Sequence, residues 1–128
     1  MDFRITAFNN FYEYFISNST DFQDIVVSDS DISDKQEIRY KQLITYTHKN
    51  IDEIILFIDQ NTTNWVFDRI HSVEKVCLIL GVAELSMKLT KKEIVIAEWV
   101  KLADSHSSSD GAKFVNGVLE KIYTDLNT

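Results

Sequence analysis

Residues 73–85 are apolar on nearly every face of a helix, and this stretch constrains the fold most strongly. Its apolar residues include Val73, Val76, Cys77, Leu78, Leu80, Val82, Ala83 and Leu85. Because a helix that is apolar all round must be covered by other elements, it belongs in the interior of a protein. The stretch therefore predicts the central helix of a bundle.

The neighbouring segments carry amphipathic patterns that can form the surrounding helices. Their apolar residues recur at spacings of three and four in residues 2–16, 34–60, 90–103 and 111–126. The long second pattern predicts one or two helices with a kink near Asn50. The sequence contains no proline and only three glycines, and it shows no alternation typical of strands. We therefore predict an all-α chain, a compact bundle of about six or seven helices in one domain over residues 1–128.

Polar residues at the boundaries predict how several helices begin. Ser72 can cap the central helix. Thr90 and Glu93 have the spacing of a capping box. Ser109 or Asp110 can cap the last helix.

Two connecting segments are less regular. Residues 17–34 are rich in Ser and Asp and predict a surface loop or a short helix. Trp65, Val66 and Ile70 predict another short helix.

The distribution of charge limits the kinds of partner. The net charge is −7, and the first 34 residues hold one base, Arg4, against seven acids. This acidity disfavours non-specific nucleic-acid binding, which depends on neutralising phosphates.

Patterns typical of enzymes are absent from the sequence. His48, His71 and His106 lack metal-ligand spacing, and there is no nucleophile elbow, phosphate-binding glycine loop or dinucleotide fingerprint. The single cysteine, Cys77, predicts an inert core thiol and a reducing compartment. There is no signal-peptide pattern and no apolar run of ~20 residues. We therefore expect a soluble, cytoplasmic binding protein without catalysis, metal or cofactor.

Residues 113–122, KFVNGVLEKI, combine a helical apolar pattern with two residues that weaken helices. A glycine inside a helix costs roughly 1 kcal/mol relative to alanine. The Asn116-Gly117 pair is otherwise a turn signal. Such a pair inside a helical pattern indicates a specific packing or binding role.

Three segments, taken in order, resemble the NusB family of transcription antitermination factors. They are EKVCLILGVAEL at 74–85, IAEWVKLA at 96–103 and KFVNGVLE at 113–120. They are similar to that family's EKxxLRxAxYEL, INEAxELAK and KFVNGVLD helices, and KFVNGVLE is the most specific of the three. Arg4, Ala7, Phe11 and Tyr12 match the spacing of the family's first helix more weakly.

The resemblance implies an all-helical fold of two packed helical subdomains and a function in transcription. NusB proteins pair with NusE, a small-subunit ribosomal protein, and the pair binds the boxA element of nascent RNA. This tethers the RNA to elongating RNA polymerase and suppresses termination in ribosomal RNA operons. No cofactor is implied, and a homodimer is possible. The RNA-binding residues expected on this basis are Arg4, Tyr12, Glu74, Lys113, Phe114 and Asn116.

Two interpretations of residues 113–117 remain open. In one, Lys113, Phe114 and Asn116 lie at the RNA edge, and the Phe114 ring stacks on an unpaired base. In the other, Phe114 belongs to the core, Gly117 lets another backbone pack closely, and Asn116 satisfies buried or capping polar groups.

The sequence departs from the family pattern at four places. The N-terminal arginine-rich segment is reduced to Arg4, and Ile79, Ala97 and Asp104 stand where the family has Arg, Asn and Lys. Three of these changes remove positive charge, so we expect weak RNA affinity for the protein alone. The further basic candidates are Lys88, Lys91 and Lys92, and the last two also fit an ordinary solvated helix start.

Three functions follow from the resemblance. The first is a NusB factor that relies on NusE for most of its RNA affinity. The alternative is a NusB-fold protein-interaction module that has lost RNA binding. The third is the helical domain of some ribosomal-RNA methyltransferases, which we do not expect because no catalytic domain follows in the sequence.

Overall fold

The computed structural model describes residues 2–17, 33–62 and 70–127, and helices account for most of them. The helices are α1 (Phe3–Ser17), α2 (Asp34–Lys49), α3 (Ile51–Gln60), α4 (Ser72–Met87), α5 (Lys92–His106) and α6 (Ser109–Leu126). No strand occurs among the described residues. The all-α prediction is confirmed, and the predicted kink at Asn50 is the boundary between α2 and α3. The predictions for residues 18–32 and 63–69 lie outside the described residues.

The central helix predicted from residues 73–85 is α4. Every residue from 73 to 85 is buried except Glu74, which is partly buried. α4 packs against each of the other five helices. α1 and α2 pair with each other on α4, and α5 and α6 form a second pair on it. The uniform apolarity of this stretch is therefore explained by contacts on all its sides.

Gly81 and Gly111 permit close packing, whereas Gly117 does not. A Cβ atom on Gly81 would lie 3.0 Å from both methyl groups of Leu119, so this glycine lets α6 approach α4. A Cβ atom on Gly117 would have no atom within 4 Å, and both Asn116 and Gly117 are exposed. The predicted packing role of Gly117, and the buried polar role of Asn116, are therefore wrong.

A buried ion pair joins α1 to α4. The Arg4 guanidinium is 4% exposed, and it donates to the Glu84 carboxylate through Nε at 2.8 Å and Nη2 at 2.6 Å. Trp99 on α5 donates its indole N–H to the same carboxylate at 2.9 Å. Asp2 accepts from Arg4 Nη1 at 3.0 Å, on the outer side of the pair. Three helices thus meet at one buried carboxylate.

Two helices have an N-cap residue one or two positions earlier than the sequence predicts. His71, not Ser72, caps α4: its Nδ1 accepts from the backbone N–H two residues on, at 3.3 Å. Ser108, not Ser109 or Asp110, caps α6: its hydroxyl accepts from the N–H three residues on, at 2.9 Å. Because consecutive polar residues can all act as caps, the backbone conformation decides among them.

The predicted capping box at the start of α5 does not form. α5 begins at Lys92, and Lys91 precedes it without a side-chain cap. The Thr90 hydroxyl instead accepts from Arg39 Nη2 at 2.7 Å, which ties the α4–α5 turn to α2. The Thr90 side chain thus forms a tertiary hydrogen bond and does not form the local helix cap that the sequence pattern predicts.

The core thiol prediction for Cys77 is confirmed. The side chain is fully buried in α4. Burial, with a smaller contribution from the charge of Glu74, raises the pKa of the thiol to about 12. A thiol that stays protonated at neutral pH is a poor nucleophile and a poor metal ligand. None of the helices in the described part of the chain is long and apolar enough to cross a membrane.

Candidate nucleic-acid interface

A cavity of about 320 Å³ opens where the N-terminal ends of α4 and α6 meet. Its lining comprises Ile70, His71, Glu74, Ser108, Asp110, Gly111 and Phe114. The walls thus combine an aliphatic and an aromatic side chain with two carboxylates and a hydroxyl. Such a concave site, mostly apolar with a few directed polar groups, is typical of a pocket that holds a small flat group.

Glu74 closes the inner side of this cavity and is held in a fixed orientation. Its carboxylate accepts a hydrogen bond from Ser107 at 2.7 Å and lies 3.6 Å from His71 Nδ1. A Cβ atom on Gly111 would lie 2.9 Å from the Glu74 carboxylate and from the Ser107 hydroxyl. Glycine at 111 therefore lets α6 begin close to Glu74 without displacing the Glu74 carboxylate or the Ser107 hydroxyl.

The first turns of α6 supply the outer rim. Phe114 is partly buried, with one side packed against the core and the other on the cavity. Lys113 is exposed beside it, and Asn116 and Gly117 lie on the same solvent-facing side of the helix. The structure is therefore consistent with both interpretations of Phe114, since one part of its ring contacts the core and another part is accessible from the cavity.

Tyr12 reaches the same end of the molecule through a row of rings. Its ring stacks on Phe8, with centroids 5.8 Å apart. Phe8 in turn stacks on His106, with centroids 4.9 Å apart, at the end of α5. His106 immediately precedes Ser107, which donates to Glu74. Tyr12 is thus on the α1 side of the surface that contains the cavity.

Arg4 lies away from this surface, and its burial disfavours the RNA contact expected of it, which stays a prediction. Its guanidinium is buried, and Glu84 and Asp2 already neutralise it. Glu84 lies ten residues beyond Glu74 on α4, about 15 Å further along that helix. The position of Arg4 therefore gives it a core role and removes the only N-terminal base from the available phosphate contacts.

The other basic candidates lie away from the cavity as well. Lys88, Lys91 and Lys92 occur in or next to the α4–α5 turn, at the far end of α4. Lys92 pairs with Glu120 at 3.1 Å, and this hydrogen bond raises the pKa of the Lys92 ammonium. Lys113 is the sequence-predicted base that the structure places beside Phe114.

Sequence reasoning missed several residues of the cavity. The sequence predicts no binding role for His71, which lacks metal-ligand spacing, and predicts Asp110 only as a helix cap. Gly111 gives no distinct signal in the sequence, because glycine is common near helix starts, and its close approach to Glu74 is visible only in the structure. The described residues contain no cluster of three His, Cys, Asp or Glu side chains that could hold a metal ion.

The sequence matches the family model described as the NusB family over residues 1–124. The chain belongs to the NusB family. The transcription antitermination protein NusB of Sulfurovum sp. (strain NBC37-1) is 32% identical over 111 residues, which are 87% of this chain and 85% of that protein.

Two solved structures are similar to this NusB-family chain. T. maritima NusB has a TM-score of 0.89 at 23% identity, covering 96% of this chain and 89% of that one, and it supports the fold alone. The crystal structure of antitermination factors NusB and NusE in complex with dsRNA gives 0.84 at 27% identity, covering 96% and 94%. The helical fold implied by the sequence resemblance is therefore shown for almost the whole chain.

Proposed function

We propose that this NusB-family protein is a transcription antitermination factor that pairs with NusE and binds boxA-type RNA in ribosomal RNA operons. One observation carries the proposal. The partly buried Phe114 ring lines a cavity beside the exposed Lys113, at the meeting point of α4 and α6. Support comes from the similar structure in which NusB is bound to NusE and dsRNA.

The cavity suits a base better than a phosphate. Glu74 and Asp110 both line it, and two carboxylates repel an anionic group. The same carboxylates can accept hydrogen bonds from the amino groups of an unpaired base. Phe114 offers a ring on which that base can stack, an interaction worth about 1–3 kcal/mol per base. Phosphates would stay at the rim, near Lys113.

The charge of the chain indicates that most of the affinity for phosphates comes from NusE. The net charge is −7, and Arg4 is neutralised inside the protein. Each phosphate that is not neutralised by a base reduces the affinity and its salt dependence. We therefore infer a non-catalytic subunit that adds base contacts and couples the RNA to RNA polymerase only through its complex with NusE. Its membership of the NusB family supports a cytoplasmic location.

The decisive experiment measures fluorescence anisotropy of a labelled boxA-type RNA with this protein, with and without NusE of the same organism. We expect tight, salt-sensitive binding only when NusE is present. Lys113→Glu should weaken the ternary complex and reduce the slope of log K against log salt by about 0.7, the value for one phosphate on a single strand. Lys121→Glu, an exposed lysine two turns along α6, is the matched control and should leave both unchanged.

A second variant tests the stacking role of the aromatic ring. Phe114→Leu keeps an apolar side chain against the core but removes the ring surface, so it should reduce RNA affinity while preserving the helical circular dichroism signal. Unchanged RNA affinity in both Lys113→Glu and Phe114→Leu would refute the site. A stable complex with NusE that binds no RNA would favour the interaction module that has lost RNA binding.

A further inference from the structure

A second surface lies at the opposite end of α4. An open groove of about 500 Å³ runs between α2 and the α4–α5 turn. We call it the α2–α4 groove, and its main lining residues are Lys41, Thr45, Tyr46, Lys49, Met87 and Leu89. Met87 is thirteen residues beyond Glu74, so the groove is roughly 20 Å along α4 from the cavity proposed for RNA. Both surfaces can therefore be occupied at once.

The groove displays large apolar side chains to solvent. Leu89 is 63% exposed, and Ile38, on the outward face of α2, is 60% exposed. Ile38 shares a face of α2 with Gln42, Thr45 and Lys49 but lies outside the groove, whose apolar part is formed by Leu89, Met87 and the Tyr46 ring. Contiguous apolar side chains of this kind mark interaction sites on soluble proteins.

The turn that presents Leu89 is fixed rather than free to fold inward. Lys88 adopts φ = +59°, a left-handed conformation that residues other than glycine rarely adopt. On the other side of Leu89, the Thr90 hydroxyl is bonded to Arg39 at 2.7 Å. Leu89 is thus held outward between two constrained neighbours.

The margin of the groove is positively charged on an otherwise acidic protein. Lys41 and Lys49 lie two turns apart on α2, and Lys88 is exposed next to Leu89. Glu37 approaches Lys41 at 3.5 Å, but both side chains are solvent-exposed enough for this pairing to be weak. Glu53 lies in the adjoining cleft with Lys88. An apolar floor with a basic margin complements a segment that is apolar on one face and acidic beside it.

We propose that the α2–α4 groove binds an acidic amphipathic helix of another protein. A helix seated in such a groove places apolar residues at spacings of three and four on its floor, with carboxylates near the lysines. A second copy of this chain fits poorly, because a two-fold contact would bring Lys41 and Lys49 of both copies together. RNA is a weaker candidate, since the lysines can attract phosphates but the leucine and methionine of the floor offer no hydrogen-bonding groups to phosphates or base edges.

The test uses a synthetic peptide of about 18 residues, with leucines at spacings of three and four and glutamates beside them. A second peptide carries lysine at every glutamate position. Binding of each labelled peptide to the full-length protein is measured by fluorescence anisotropy at low and high salt. We expect the acidic peptide to bind at least tenfold more tightly than the basic one, and more weakly at high salt.

Variants locate the contact. Leu89→Asp, and separately Lys41→Glu with Lys49→Glu, should each weaken the acidic peptide at least tenfold. Ile94→Asp, at an exposed isoleucine on α5, is the matched control and should have no effect. Since these side chains are exposed, thermal unfolding monitored by circular dichroism should show folded proteins throughout.

Three results would overturn the proposal. The first is equal binding of both peptides, or no binding of either. The second is a dimer in sedimentation equilibrium that Leu89→Asp dissociates, because a second copy would then cover the groove. The third is a loss of boxA-type RNA binding in the Lys41→Glu, Lys49→Glu variant comparable to that of Lys113→Glu, because the groove would then be part of the RNA surface.

Discussion

The ion pair between Arg4 and Glu84 leads to the sharpest prediction. Replacing Arg4 by Met removes two short hydrogen bonds and leaves the Glu84 carboxylate, which is 3% exposed, with Trp99 as its hydrogen-bond donor and Arg39, 3.9 Å away, as its nearest cation. Removing one partner of a buried pair costs about 3–5 kcal/mol when the other charge stays buried without compensation, and we expect about 3 kcal/mol here because Arg39 still compensates part of the Glu84 charge. That is a large part of the ~5–15 kcal/mol by which a typical domain is stable.

A double variant distinguishes the cost of losing the Arg4–Glu84 interaction from the cost of leaving the Glu84 charge buried without Arg4. Arg4→Met combined with Glu84→Gln removes both charges, and the glutamine can still accept from Trp99. The double variant should therefore be more stable than Arg4→Met alone, by about 2 kcal/mol. The measurement is urea unfolding followed by circular dichroism, with the free energy of unfolding compared among the three proteins.

The RNA measurement provides the refutation. If Arg4 acts only in the core, folded Arg4→Met should bind boxA-type RNA with NusE as well as the unmodified protein does. The opposite result is an unchanged midpoint of urea unfolding together with a loss of RNA affinity as large as that of Lys113→Glu. Arg4 would then contact a phosphate and would leave its buried position when RNA binds.

Three further predictions concern single residues. Gly117→Ala should raise the free energy of unfolding by about 0.5–1 kcal/mol, because its Cβ meets no atom and alanine favours helix. Gly81→Ala should lower it by about 1–2 kcal/mol, because its Cβ would lie 3.0 Å from both methyl groups of Leu119, which is fully buried and has little room to move, so that overpacking outweighs the helix preference of alanine; thermal unfolding checks both. The raised pKa of Cys77, about 12 against an ordinary 9.0, means that only the unfolded thiol ionises between these values. The free energy of unfolding should therefore fall as pH rises above about 9, by up to ~1.4 kcal/mol per unit, relative to Cys77→Ala.

The sequence was informative where a residue's neighbours along the chain decide its environment. The apolar run of α4 predicted a central helix because only surrounding helices can cover all its faces. The spacing of Val115, Val118 and Leu119 also places Gly117 on the polar face of α6, and this signal contradicts a packing role within the chain. The packing interpretation of Gly117, one of the two that the sequence left open, weighs residue type above periodicity.

The sequence was uninformative where the environment depends on distant segments. Arg4, next to Asp2 in an acidic region, resembled a surface base, and nothing nearby points to Glu84. The cavity combines residues near 71–74 with residues near 108–114, and these are brought together by the tertiary packing of α6 against α4, which Gly111 allows to be close. Packing of this kind has no local pattern.

The separation of Arg4 from Glu84 also affects how the chain folds during synthesis. The two residues are 80 positions apart, and Trp99 follows still later. At about 5–20 residues per second, a ribosome needs roughly 4–16 s to add the residues that Arg4 requires as partners. Phe3, Phe8 and Phe11, which are all buried in the finished protein, have no α4 to pack against during that interval. The first helix to be made is thus among the last to be fixed, and the nascent chain carries an aromatic face that chaperones can bind.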